Sequence, residues 1–254
     1  MGSQQDPHSS QNLRLIIYPG EKDDRVPGSE TPITMGTIYV VRSGRVIDRY
    51  DVAPGPRIKF KDRGHSAEPT PPGSYTLGHA ERHTASSWPT SVIPWGAHLR
   101  ETPEGVVEFQ LGATWVAATG LHGKVTVAYA EFRRQSGRAI SPGLANAEVR
   151  RYFFVDREQK NLRPTWTLND FGKWSWNLQQ SGKRSVFYIH TTPLDELADS
   201  LDTQVHLEQS HGCLHIQPAD RDEMVTKGYL KAGMHVQIER YGLAGPPPET
   251  TGRR

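Results

Sequence analysis

QSHGCLHIQPAD, residues 209–220, holds the only cysteine of the 254-residue chain. His211 and His215 stand two positions to either side of Cys213, and Gly212 comes directly before it. Read as a strand or its extended end, Ser210–Ile216 alternates its side chains between two faces. Leu214 and Ile216 then share an apolar face that enters a core. His211, Cys213 and His215 share the other, pointing together into open space. Gly212 sits where a second backbone or a substrate can approach closely, and N–H groups near Gly212 and Cys213 are placed to face a developing oxyanion. A thiol is a weak nucleophile until ionised. Its ordinary pKa is about 8.5, and a nearby imidazole lowers it by forming an ion pair. His190, in SVFYIHTTP (185–193), is the strongest candidate for that imidazole. Val186–Ile189 reads as a buried strand, and a catalytic side chain at the end of a strand is well placed on a rigid sheet.

The rest of the chain bounds this reading. Hydrophobic residues make up 35% and charged residues 23%, a globular composition. Formal net charge is +2 with basic residues scattered, which argues against nucleic acid as the main partner. One cysteine excludes an internal disulfide. No apolar run reaches the roughly 18 residues of a transmembrane helix. The first thirty residues are polar, and their one apolar run, Leu13–Tyr18, is interrupted by Arg14 and too short for a signal-peptide core. The expectation is either export without a cleaved signal or a native start replaced by MGSQQDPHSS.

Residues 1–11 and 241–254 are rich in Gly, Pro, Ser and Thr and read as solvated tails around one domain over 12–240. Most segments between them read as strands: Leu13–Tyr18, Thr37–Arg42, Arg45–Val52, Ser74–Leu77, Gly105–Leu111, Lys124–Phe132 and Met234–Glu239. Ser43-Gly44 reads as a tight hairpin turn. Helices are few and short. Asn146–Arg151 is one. Leu194–Leu201 carries leucines at helical spacing, and Pro218–Tyr229 opens on a proline with acidic residues in its first turn. The chain is therefore expected to be mainly β.

IH-T-x-P followed about twenty residues later by S-H-G-C resembles the signature of the L,D-transpeptidase catalytic domain, also called YkuD. TPPGSYTLG (70–78) is similar to the family's upstream segment, YVVRSGRVIDRYDVAPG (39–55) to its early hairpin, and LKAGMHVQIE (230–239) to its terminal strand. The resemblance covers about 37–99 and 166–240. It implies a β-sandwich or barrel-like catalytic domain with a few short helices. It also implies chemistry on peptidoglycan stem peptides in the cell envelope, without a cofactor or metal. The cysteine attacks the bond between the third residue and the D-Ala of a tetrapeptide stem, and a thioester forms. A stem amine, a free D-amino acid or water then resolves it, giving 3→3 crosslinks, exchange or L,D-carboxypeptidase products. Carried over by position, Cys213 is the nucleophile, His190 the general base and His211 a further catalytic residue. Gly212, Ser210 and Thr191 shape the oxyanion site and orient the cysteine. His215 and Tyr188 are the substrate-binding candidates. Many relatives carry Arg or Asn where His215 stands, which leaves open how a substrate carboxylate is held. Residues of about 100–165 read as a long insertion, a lid or flanking lobe over the cleft.

Other readings compete. A lone cysteine is by itself more often an inert small hydrophobe. A zinc site from His206, His211, Cys213 and His215 lacks the paired-ligand spacing of zinc modules. A papain-like peptidase wants its cysteine at a helix start with a later histidine. A wall-binding module that keeps the fold without turnover is the non-enzyme alternative. Within the family reading, a housekeeping crosslinker and an exported antibacterial effector, with a secretion-system or immunity partner, both stay open. Trp166, Phe171, Trp174 and Trp176 read as packing rather than as a sugar platform.

Overall fold

The computed structural model describes residues 13–20, 23–24, 33–62, 65–83, 91, 93–104, 107–117, 162, 164–200, 205, 207 and 210–245. In chain order the elements are β1 (Leu13–Tyr18), β2 (Asp23–Asp24), β3 (Ile33–Thr34), β4 (Gly36–Arg42), β5 (Arg45–Val52), β6 (Phe60–Asp62), β7 (His65–Ala67), β8 (Gly73–Glu81), β9 (Leu99–Glu101), β10 (Val107–Leu111), β11 (Thr114–Ala117), β12 (Ser175–Gln180), β13 (Lys183–His190), α1 (Pro193–Ser200), β14 (Leu214–His215), α2 (Pro218–Thr226) and β15 (His235–Ile238). The mainly-β expectation holds. The strand and helix expected at Lys124–Phe132 and Asn146–Arg151 lie outside the described residues.

Two compact units divide the chain. The first comprises Met1–Glu81, Ser175–His190 and Gln204–Arg254, and the second Arg82–Trp174 and Thr191–Thr203. The first unit is built on an eight-stranded sheet in the order β14-β13-β12-β8-β15-β1-β4-β5. Its core follows from strand periodicity. In β1 the alternate residues Leu15 and Ile17 are fully buried. Leu15 stands between Val40 and Val236, and Ile17 between Ile38 and Ile238. These residues form rows across the sheet, and each fully buried side chain contributes about 1.5–3 kcal/mol. Ser43-Gly44 closes the β4–β5 hairpin with both residues at positive φ, the backbone of a two-residue primed turn.

An open sheet of this order would leave β14 and β5 as edges. Ala53, directly after β5, removes that exposure by bridging antiparallel to His215. Each N–H donates to the other's carbonyl at 2.9 Å, so the sheet curls until its two edges meet. α2 fastens the same side. The Tyr50 hydroxyl of β5 donates to Glu223 of α2 at 3.2 Å, and Lys227, just past α2, donates to Asp48 at 3.0 Å. The SHGC element thus lies at the seam of the curled sheet.

The second unit carries the antiparallel sheet β11-β10-β9 and helix α1. Trp166, Leu168 and Ile93 are buried there. Asn169, also buried, donates to the carbonyls of His83 and Ile93. The segment expected as an insertion, about 100–165, falls in this unit, with 118–161 outside the described residues.

Candidate active site

Ser210 is fully buried and its hydroxyl makes two bonds. It donates to the Cys213 carbonyl at 2.6 Å and accepts from the Gly212 N–H at 3.0 Å. A side-chain loop of this kind competes with extended pairing, and 210–213 is accordingly bent; only Leu214–His215 pair as strand. Gly212 takes φ 132°, a conformation side chains disfavour. A Cβ there would lie 2.7 Å from Phe187 Cε1. The continuous alternation expected through Ser210–Ile216 therefore breaks at Gly212. Leu214 and Ile216 do enter the core, but His211, Cys213 and His215 do not share an open face. His215 is only 9% exposed.

The bend is held from the opposite side by a residue the sequence did not single out. Thr70 is fully buried. Its hydroxyl accepts from the Gly55 N–H and donates to the Gly212 carbonyl, both at 2.8 Å. The Tyr241 hydroxyl accepts from the Thr70 N–H at 3.0 Å and donates to the Gly55 carbonyl at 2.9 Å. Gly55 packs so closely that a Cβ on it would lie 2.9 Å from Gly212 Cα. Cys213 is thereby mounted on a hydrogen-bonded frame of Ser210, Thr70, Gly55 and Tyr241. Because the Gly212 N–H is taken up by Ser210, Gly212 contributes conformation and close approach.

Burial dominates the thiol. Desolvation disfavours the thiolate and pushes Cys213 up to about 12, and a smaller opposing effect comes from a hydrogen bond with the Tyr188 backbone. Burial thus works against the ionisation expected from a neighbouring imidazole.

His190 is the last residue of β13 and is 4% exposed. Parallel pairing of β13 with β14 sets it opposite His215, and its carbonyl accepts from the Ile216 N–H at 3.0 Å. The two imidazoles meet edge-to-face, with centroids 4.7 Å apart and planes at 67°. The buried strand expected at Val186–Ile189 is buried only toward its end, since Val186 is 78% exposed while Tyr188 and Ile189 are inside. The Tyr188 hydroxyl accepts from Arg184 at 3.2 Å, and that guanidinium also grips Glu81 with two nitrogens. Thus Cys213, His190, His215, Ser210, Gly212 and the Tyr188 backbone come together along one seam. His211 joins it through its carbonyl, which accepts from the Glu68 N–H at 3.3 Å.

Thr191 belongs to the second unit, and its buried hydroxyl donates to Glu196 of α1. The same carboxylate oxygen accepts from the Lys173 N–H at 3.0 Å. Gly172, at φ 61°, lies beneath, where a Cβ would sit 1.7 Å from the Thr191 hydroxyl oxygen. Trp166 and Trp176 are fully buried and Phe171 nearly so, which is packing as read. Trp174 instead carries the Arg82 guanidinium over its ring at 5.0 Å. Among the described residues no three His, Cys, Asp or Glu side chains gather as a metal-holding group. His206 lies outside the described residues.

A family model described as the L,D-transpeptidase catalytic domain, YkuD, matches residues 33–238. Comparison with curated proteins and with solved structures finds no match.

Proposed function

The chain belongs to the L,D-transpeptidase catalytic domain family, and from that premise we propose that it is a peptidoglycan L,D-transpeptidase acting through a thioester on Cys213. The observation that carries the reading is the mounting of the chain's one thiol at the sheet seam. Three independent backbone restraints converge there: the Ser210 bend, the Thr70 clamp and the Ala53–His215 bridge.

The chemistry follows from the buried thiol. Burial pushes the Cys213 thiol up, which favours proton removal as the sulfur attacks over a standing thiolate. His190 therefore takes the Sγ proton as the sulfur attacks the carbonyl of the third stem residue. In this reading the Cys213 N–H faces the oxyanion. The tetrahedral intermediate collapses by breaking the C–N bond to D-Ala. The D-Ala nitrogen takes the proton from His190, leaving the thioester and a neutral imidazole. An acceptor amine or water then attacks, gives its proton to His190, and the thiol is regenerated. His211 and Ser210 orient the sulfur, and Thr191 directly follows the base in sequence. Tyr188 borders the sulfur through its backbone.

Mass spectrometry of muropeptides carrying tetrapeptide stems, after incubation with the protein, tests the reading. The expected products are released D-Ala together with crosslinked, exchanged or trimmed stems. Unchanged tetrapeptide stems would overturn it, and the product ratio identifies the acceptor.

A further inference from the structure

We infer that His215 is a positioning residue for His190, acting on the base rather than on substrate. This rests on the proposed role of His190. Four observations lead to it. First, His215 is itself fixed: it pairs with His190 in the β13–β14 register and exchanges two 2.9 Å hydrogen bonds with Ala53. Second, it is buried, so its ring is not offered to an incoming carboxylate as an exposed Arg would be. Third, its imidazole lies edge-to-face on His190 at 4.7 Å, a preferred arrangement for two rings. Fourth, His190 is the last residue of its strand, and His215 is its register partner across the β13–β14 pairing.

The pairing has an electrostatic consequence. Two buried imidazoles at this separation do not both become imidazolium at modest cost. His190 becomes imidazolium when it takes the thiol proton, so His215 serves it best as a neutral ring. A permanent cation at position 215 would oppose that step. The ionisable side chains on the paired segments are Lys183, Arg184, Tyr188 and His190 on β13, His211 and Cys213 ahead of β14, His215 on it, and Asp51 two residues before the Ala53 bridge.

The test compares His215→Ala, His215→Phe and His215→Arg in the full chain, with two readouts. The first is the rate of Cys213 alkylation by iodoacetamide against pH, which needs no stem substrate. The second is D-Ala release from tetrapeptide stems, with KM and kcat separated; melting temperatures check that each variant is folded. His215→Ala is expected to lower kcat about tenfold with KM little changed, the scale of a lost ring pair plus base misplacement. It is also expected to slow alkylation near neutral pH, since a misplaced His190 takes the thiol proton less readily as the sulfur attacks. His215→Phe restores the ring and should recover most of both. His215→Arg should not recover kcat, because its fixed charge opposes protonation of His190. A change confined to KM would return His215 to substrate binding and overturn the inference. So would wild-type profiles in all three variants, or failure of a folded Phe variant to recover. Should wild-type protein leave stems intact while alkylation still responds to position 215 as described, the transpeptidase reading fails and the His190–His215 coupling stands.

Discussion

Replacing Thr70 by Val keeps the shape of the side chain and deletes its hydroxyl. Two buried groups lose their partner at once, the Gly55 N–H and the Gly212 carbonyl, each held at 2.8 Å. An orphaned buried donor or acceptor costs about 1–3 kcal/mol. The pair should therefore cost roughly 2–6 kcal/mol. For a chain of this size about 3 kcal/mol corresponds to a fall in Tm of roughly 6–12 °C. The effect on chemistry should exceed that on stability, because the Gly212 carbonyl belongs to the peptide that carries Cys213. Thermal unfolding and the Cys213 alkylation rate are the assays, with Thr70→Ser as the control that keeps the hydroxyl. A Thr70→Val protein that melts within about 2 °C of wild type and alkylates at the wild-type rate would refute the clamp.

Two further outcomes follow from burial and backbone. The folded Cys213 thiol lies at about 12 against 9.0 when exposed. A raised folded pKa gives stability that is full below the unfolded value and is lost as pH climbs toward the folded one. Wild-type protein should accordingly lose up to about 4 kcal/mol between pH 9 and 12 that Cys213→Ala retains, measured by urea unfolding across that range. Gly172→Ala should destabilise by about 3 kcal/mol or more, since it combines a positive φ with a Cβ driven into the Thr191 hydroxyl; calorimetry of the purified variant checks it.

Much of the first unit was legible because its strands obey simple periodicity. β1 and β5 fall where the apolar alternation of Leu13–Tyr18 and Arg45–Val52 put them. β12 carries no strand pattern. Its sequence SWNLQQ is mostly polar, and it is buried because Ser175 and Asn177 find backbone acceptors, Glu81 for the first and Ser185 and Phe187 for the second. One signal for it was present: Ser181-Gly182 repeats the dipeptide of the first hairpin and, like it, takes positive φ at both residues. Within the site, Cys213 and His190 were singled out as residues, but their setting was not. Alternation through 210–216 fails because Gly212 leaves the extended region, and no local pattern shows that Ser210 will bond inside the bend. Thr70 lies 142 residues from the carbonyl it holds, a contact made only by the closing of the sheet. The burial that raises the thiol has the same origin, since it depends on β13 and the SHGC bend coming together.

The most direct measurement is intact-protein mass spectrometry after a rapid acid quench of the protein mixed with a tetrapeptide stem, followed by peptide mapping. The expected adduct equals the stem less D-Ala, is carried by the peptide that contains Cys213 and is absent from Cys213→Ala. An adduct on another residue, or D-Ala release by folded Cys213→Ala at the wild-type rate, would contradict it.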